Sequence, residues 1–289
     1  MPAIFLFLSF PTYADLPLTV ENLLSDKGKA RFEFSANYAN SERRGVDVSD
    51  TIAVQTGTAS FVNVPSQIGE RLSNTDALVT TAGIRYGLSK NTEIYTSATA
   101  FGVDSRSESG EGVVSKRNDS HFSDAWVGVN HRIRDDTDKP AIFGFTELQV
   151  AERQTGGNTA YGKSLLVGMT TYQTYDPVVL ALTGAVQLNT NRKDGDTDYR
   201  PGNSLSISPT VGFAVNDKVT LSSGLNWRMQ QADTRDGETQ GIRRTSTSLD
   251  LGLGYAFSKH DTLDVSVRPQ VSGDGDVQVG VAWLHRLEK

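Results

Sequence analysis

The 289-residue chain carries a formal net charge of −6 and only 37% hydrophobic residues, a balance that argues against a large apolar core and against a nucleic-acid partner. It has no cysteine, and its 4 histidines are His121, His131, His260 and His285. A disulfide framework, a lipoprotein-type anchor and a thiolate metal site are therefore excluded. The histidines have no metal-ligand spacing, so neither a metal nor any other cofactor is expected.

In chain order, MPAIFLFLSFPTYA (1–14) reads as a signal peptide, with Ile4 to Phe10 as its apolar segment and Thr12 and Ala14 as the small residues before cleavage. No stretch approaches the ~18 apolar residues of a membrane-spanning helix. An exported chain of this kind enters a membrane only as a closed barrel. The next stretch, DLPLTVENLLSDKGK (15–29), carries helix signals. Thr19 suits the N-cap, Glu21 the first turn, and Lys27 with Gly28 the end, while Val20, Leu23 and Leu24 share one face. Two turns are marginal alone in water and need a surface to pack on. Residues 15–28 are therefore expected to form a linker or plug helix at the lumen or its periplasmic mouth.

From residue 29 to 289 period-two alternation dominates. In LSISPTVGFAV (205–215), Leu205, Ile207, Val211, Phe213 and Val215 alternate with Ser, Thr, Gly and Ala. SLDLGLGYAF (248–257) and TLDVSVRPQV (262–271) repeat the arrangement. Such alternation sets one face in an apolar medium and the other in a polar one. Twelve segments follow it, near 29–39, 76–88, 92–103, 121–134, 141–152, 163–174, 178–189, 204–215, 218–230, 246–258, 261–271 and 276–286. Short connections (LSKNTE, DDTDKP, TYDP, VNDK, FSKHD) alternate with long ones at 40–75, 104–120, 153–162, 190–203, 231–245 and 272–276. That rhythm is the layout of an all-β, transmembrane antiparallel barrel of about twelve strands, multi-pass in the outer membrane of a Gram-negative bacterium. Tyr86, Tyr95, Tyr175, Phe213, Tyr255 and Phe257 lie near the short turns, as a membrane-interface aromatic girdle would. Pro209 and Pro269 are expected at bulges or strand ends, because a closed barrel offers no free edge.

Two catalytic patterns fail in this context. GNTAYGKS (157–164) matches the phosphate-loop pattern, but Ser164 runs into LLVGMTTYQTY, which carries no helix start. A phosphate cradle needs a strand before it and a helix after it, so no nucleotide site is expected and the glycines serve an outside hairpin loop. His121 and Ser123, two apart on a strand, share a face while Asp124 points away. Nothing then orients the imidazole, so no catalysis is expected, although a barrel-embedded lipid hydrolase remains an alternative. On the assigned register Arg31, Arg85, Arg132, Arg228 and Arg268 point inward with Glu33, Asp124, Glu147, Asp250 and Asp264. The near-neutral set reads as a salt-bridged wall, a weakly selective pore lining, or both.

The linker DLPLTVENLLSDKGK, NSER (40–43), SNTDALV (73–79), RYGLSKNTEIY (85–95), GKSLLVGMTTYQTYDPVVLALT (162–183) and FAVNDKVTLSSGLNW (213–227) resemble the outer-membrane export pore of the bacterial Fap functional-amyloid system. The resemblance covers most of the chain after the signal. It implies a twelve-stranded homotrimeric barrel closed by an N-terminal helix, here Thr19 to Asp26, through which unfolded amyloid subunits are secreted. The family pore carries a periplasmic coiled-coil region before its plug, and here only the signal-like segment precedes it. The expected partners are outer-membrane lipid, the barrel-assembly machinery and, by resemblance, exported amyloid subunits and further copies of the chain. The expectation is a plugged outer-membrane channel for secretion of amyloid subunits or passage of solutes. The alternative is an uptake channel for small hydrophobic or aromatic compounds.

Overall fold

The structure, a computed structural model, describes residues 24–46, 51–65, 70–108, 112–153, 159–194, 197–272 and 276–287. Among these residues there is no helix. The signal peptide and the plug residues Thr19, Val20, Glu21 and Leu23 lie outside the described residues.

Twelve long strands form the wall. They are β1 (Ala30–Val46), β2 (Glu70–Gly87), β3 (Thr92–Glu108), β4 (Val114–Arg134), β5 (Ala141–Arg153) and β6 (Ser164–Tyr175), then β7 (Val178–Asn189), β8 (Ser204–Ala214), β9 (Val219–Gln230), β10 (Arg244–Ala256), β11 (Asp261–Ser272) and β12 (Val277–Leu287). Each pairs antiparallel with the next, and β12 pairs with β1 from Ala30↔Leu287 to Asn40↔Val277. The ring is closed, so every wall strand has a hydrogen-bonding partner on both sides, which hydrocarbon surroundings demand.

The alternation read from the sequence separates the two faces. Phe34, Ile84, Val127, Leu182, Val211, Leu253 and Val281 point outward and are each more than 40% exposed. Such residues recur on strand after strand, a continuous apolar belt that only a lipid environment accommodates. Tyr86, Tyr175, Phe213, Tyr255 and Phe257 stand on that outer face near the short turns, joined by Trp283. Tyr95 does not. It shares the inward parity of Glu93 and is buried in the lumen, where its hydroxyl donates to Glu147 Oε1 at 2.8 Å.

Strands β5 to β12 have 11–13 residues, close to the ~9–11 that cross a bilayer. Strands β1 to β4 run longer, 17, 18, 17 and 21 residues. Much of what was expected as outside loop at 104–120 is thus strand, β3 and β4 pairing as far as Glu108↔Val114. The expected loop at 40–75 likewise holds the upper parts of β1 and β2 and a hairpin, Thr51–Gln55 with Phe61–Pro65. The expected loops 190–203 and 231–245 meet in a four-stranded sheet of Arg192–Asp194, Thr197–Arg200, Asp233–Arg235 and Glu238–Gln240. Its outer turn is Asp236–Gly237, with φ of 50° and 83°, the pair of positive values that a tight two-residue hairpin requires.

Both wall prolines sit at interruptions of the ladder. Pro209 pairs with Leu182 of β7, but toward β9 the pairing skips from Ile207↔Trp227 to Thr210↔Gly224. Pro269 pairs with Val277 at the end of β12, and toward β10 the pairing skips from Leu251↔Val267 to Ser248↔Gln270. A bulge also changes one assigned register. Thr99 pairs with Asp124 and Ala100 with Phe122, leaving Ser123 as the extra residue. Asp124 keeps its assigned inward face, and His121 is brought to that same face, contrary to simple alternation.

Candidate functional site in the barrel lumen

At the periplasmic mouth the chain enters the barrel before becoming β1. Leu24 is buried against Ala141 and Phe143, with Tyr172 packed beside them. Gly28, with φ +77°, turns the chain into the wall, and its amide donates to the Gly87 carbonyl at 2.8 Å. Gly87 is required here, since a Cβ would sit 2.2 Å from the Asp26 carbonyl oxygen. A fully buried carboxylate, Glu93, fastens this segment by accepting the Ser25 backbone N–H at 2.6 Å. The same carboxylate takes Arg85 Nη1 at 3.1 Å, Asn130 Nδ2 at 3.2 Å and Arg31 Nη2 at 3.7 Å. Glu33 shares both guanidinium groups, Arg85 at 2.8 Å and Arg31 at 3.2 Å. Two arginines facing two glutamates inside a low-dielectric wall neutralise each other, whereas any one left unpaired is costly. Arg85 also lies 4.4 Å over the Tyr95 ring, which fills the space above Gly128.

The middle and outer lumen are crossed by the hairpin. Its Ile52, Val54, Val62 and Val64 are buried against inward residues of β1 to β3, namely Ala39, Ala77, Val79, Phe101 and Val103. Its backbone bonds to β12, the wall strand next to β1. Gln55 N–H donates to Gln278 Oε1 at 3.0 Å, and Gln278 Nε2 donates to the Ala53 carbonyl at 2.8 Å. At the tip, Ala59 packs with Leu166 and Ala185, next to Trp126 and Phe145, and the Thr58 carbonyl lies 3.5 Å from Ser208 Oγ and from Asn226 Nδ2. The hairpin thus spans the lumen from the β1–β3 wall to β6–β9.

Above it the extracellular sheet sends Arg192 down into the barrel. This guanidinium, 4% exposed, donates to Glu152 Oε2 at 2.7 Å, Ser164 Oγ at 2.9 Å and the Thr190 carbonyl at 3.0 Å. Ser164 in turn donates to Asn189 Oδ1 at 2.7 Å. Tyr199 joins the two loops by donating to Asp233 Oδ2 at 3.1 Å. Burial first, and then the Asp233 carboxylate, push its phenol pKa upward, so it stays a donor.

The ten charged residues assigned to the lining all lie on the inward register, but in separate groups. Arg31, Glu33, Arg85 and Glu147 meet at the mouth. Arg132 is nearby, with Asp135 Oδ1 at 2.9 Å and its guanidinium 5.3 Å over the Phe143 ring. Arg268 pairs with Asp250 at 3.0 Å and donates to Asn37 Oδ1 at 3.3 Å. Asp264 lies opposite Gly254, Asp124 is buried opposite Glu152, and Arg228 lies under Phe61. Sequence reasoning did not single out Glu93, Glu152, Arg192 or the hairpin. Glu93 had a usable signal, the inward parity of β3; Arg192 had none, because its position depends on how two loops fold back.

At the outer end of β4, His121 Nδ1 lies 3.2 Å from Asp119 Oδ1, and its ring packs edge-on to Phe101 with centroids 4.3 Å apart. The imidazole is therefore held, contrary to expectation, with Asp119 rather than Asp124 as its hydrogen-bonding carboxylate. In GNTAYGKS, Gly157 and Asn158 lie outside the described residues. Thr159–Ala160 pair with Glu152–Arg153, Gly162 turns with φ +61°, and Ser164 opens β6. A strand follows the Lys–Ser pair where a phosphate loop needs a helix. No group of His, Cys, Asp and Glu fit to hold a metal occurs among the described residues.

Comparison with known proteins places this geometry. The family described as the MetA-pathway of phenol degradation matches residues 35–280. The COG4313 outer membrane channel from Pseudomonas putida F1 is similar in structure, with a TM-score of 0.63 and 12% identity, over 97% of this chain and 100% of that one. The transport unit of the autotransporter AIDA-I from Escherichia coli is similar at a TM-score of 0.50 and 10% identity, over 92% and 93% of the two chains. The Pseudomonas putida toluene transporter TodX follows at 0.47 and 9% identity, over 90% and 91%. At these identities the likeness is one of fold. No curated protein sequence matches the chain.

Proposed function

The chain belongs to the MetA-pathway phenol-degradation family, and from that premise we propose that it is a non-catalytic channel of the bacterial outer membrane that passes small aromatic or otherwise apolar compounds. The observation that carries this reading is the apolar surface inside the pore. Ala59 at the hairpin tip meets Leu166 and Ala185 beside the rings of Trp126 and Phe145. Ala59, Leu166 and Ala185 bury one another. The partly exposed rings beside them give a small apolar solute a surface to exchange hydration for, from which a water-filled sieve for sugars or ions gains nothing. The belt residues face outer-membrane lipid, and insertion falls to the barrel-assembly machinery. The test is entry of phenol and of a sugar of similar size into liposomes carrying the purified chain. Selective phenol entry is expected, and equal entry of both overturns the reading.

Export of unfolded amyloid subunits, with trimerisation, is the second reading, favoured by the entry of residues 24–28 into the periplasmic mouth. An unfolded chain needs both this segment and the hairpin out of its way, whereas a small solute needs neither gone. Secretion of an amyloid-subunit reporter by cells producing the chain would establish it, and a reporter retained in the periplasm would dismiss it. The lipid-hydrolase reading rests on His121 and Ser123 alone, and lipase activity that survives Ser123→Ala ends it.

A further inference from the structure

Arg228 differs from the other arginines assigned to the lining and from Arg192. Arg31, Arg85, Arg132, Arg192 and Arg268 each have a carboxylate oxygen within 3.2 Å. Arg228, on the inward face of β9 and only 8% exposed, forms no ion pair among the described residues, and its buried Nε–H has no acceptor. The charged group that acts on it is another cation, Arg244. Burying a guanidinium without a counter-charge is expensive, so such a group marks a place where a negative charge is to arrive.

The surroundings say what kind of anion fits. Phe61 of the hairpin lies 4.4 Å over the guanidinium. A ring on that face leaves the edge, where the N–H bonds lie, for an oxyanion, and a carboxylate matches that fork. Hydroxyls flank it on both sides, because Ser206 of β8 and Ser246 of β10 are its cross-strand partners. Asn226, two residues along, donates to Ser208 Oγ at 2.7 Å and extends the polar surface. Next to it, two residues before Phe61, Ala59 meets the apolar set of Leu166, Ala185, Trp126 and Phe145. An anion site thus adjoins an aromatic-lined apolar surface. We propose that Arg228, Phe61 and the flanking serines form a docking site for the carboxylate of a small aromatic acid, whose ring rests against the partly exposed rings of Trp126 and Phe145.

The place of this site in transport rests on the channel reading; its chemistry does not. Titration calorimetry of purified protein with benzoate, its neutral isostere benzamide and acetate tests it, alongside liposome entry of the first two. Benzoate is expected to bind more tightly than benzamide or acetate. Arg228→Gln, checked for folding by heat-modifiable migration, is expected to weaken benzoate about tenfold, the worth of a charge-assisted hydrogen bond, and to leave benzamide unchanged. Arg228→Lys should recover part of the loss. Should the variant not fold, benzoate is expected to slow phenylglyoxal modification of Arg228 in the unaltered protein, read by mass spectrometry. Equal loss of benzoate and benzamide, acetate binding as tight as benzoate, or no protection of Arg228 overturns the proposal. Benzoate binding without entry of either compound upholds the site and overturns the channel reading. Benzamide entry with no charge-dependent binding does the reverse.

Discussion

The hairpin that crosses the lumen is held to the wall by few side chains, and Val54→Asp tests whether they hold it. Ile52, Val54, Val62 and Val64 are 1%, 0%, 5% and 0% exposed. At about 1.5–3 kcal/mol for each buried aliphatic side chain, the four contribute roughly 6–12 kcal/mol to docking. Aspartate at position 54 removes about 2 kcal/mol of that burial, and an unpaired polar group there costs several kcal/mol more. Its neighbours are Ala39, Ala77, Val79, Phe101 and Val103, none of which offers a side-chain donor. The change therefore cancels half or more of the apolar anchoring, while the twelve wall strands keep their pairing. Single-channel conductance in planar bilayers is expected to rise roughly twofold, since a twelve-stranded barrel is intermediate between filled and open ones. Protease added from outside should then cut the chain between Gln55 and Phe61. Asn63→Asp, on the exposed opposite face of the same hairpin, serves as the control and should change neither. Unaltered conductance with a protected hairpin in Val54→Asp would refute the claim that this apolar contact sets the docked position.

Deleting residues 16–28 is expected to raise conductance, because it removes Leu24 from Ala141 and Phe143 and Ser25 from Glu93; unchanged conductance means that these residues do not occlude the pore. Arg192→Gln leaves Glu152 without its 2.7 Å partner, near the buried Asp124. The reversal potential in a salt gradient should shift toward cation preference, and urea unfolding should show a loss of about 3 kcal/mol. A side chain at Gly168 would meet the Phe145 ring at 2.2 Å, whereas at Gly184 nothing lies within 4 Å. Gly168→Ala is therefore expected to cost about 1–3 kcal/mol in the same unfolding assay and Gly184→Ala close to none; equal effects would mean that the ring gives way freely.

The wall was legible because lipid imposes its own period on the sequence. A residue such as Leu182 or Leu253 has no alternative site in an outward-facing strand, and its neighbours face a different medium. Every one of the twelve segments accordingly becomes a strand, with ends shifted mainly where β1 to β4 continue beyond the membrane. Strand continuation there is less marked in the sequence, because polar residues face out on both sides. Tyr38, Asn40, Asp76 and Arg106 form one such outward cluster, with Asn40 Nδ2 donating to Asp76 at 2.7 Å and Arg106 Nη2 at 3.0 Å. The expectation that His121 and Asp124 face opposite ways fails for a separate reason. One extra residue, Ser123, inverts the parity of everything beyond it, and alternation cannot reveal where a bulge falls.

The lumen obeys no such rule, because its contents are set by what folds back into it. TIAVQ and FVNVP do alternate, with Ile52 and Val54 matched to Val62 and Val64. Five residues are too short to cross a bilayer, so the same period that identified the wall identified this hairpin only as part of a loop. Its apolar face finds its complement in Ala39, Ala77 and Val79, inward residues whose apolar character would be out of place against water. Two anomalies thus explain each other: an alternating stretch too short to span, and a patch of wall too apolar to face water. The same logic applies to charge. Glu33, Glu93, Glu152 and Asp250 balance the arginines that meet them, which leaves Arg228 as a buried arginine with no carboxylate partner among the described residues. An imbalance that survives inside an otherwise paired lumen is the feature a solute of opposite charge is suited to complete.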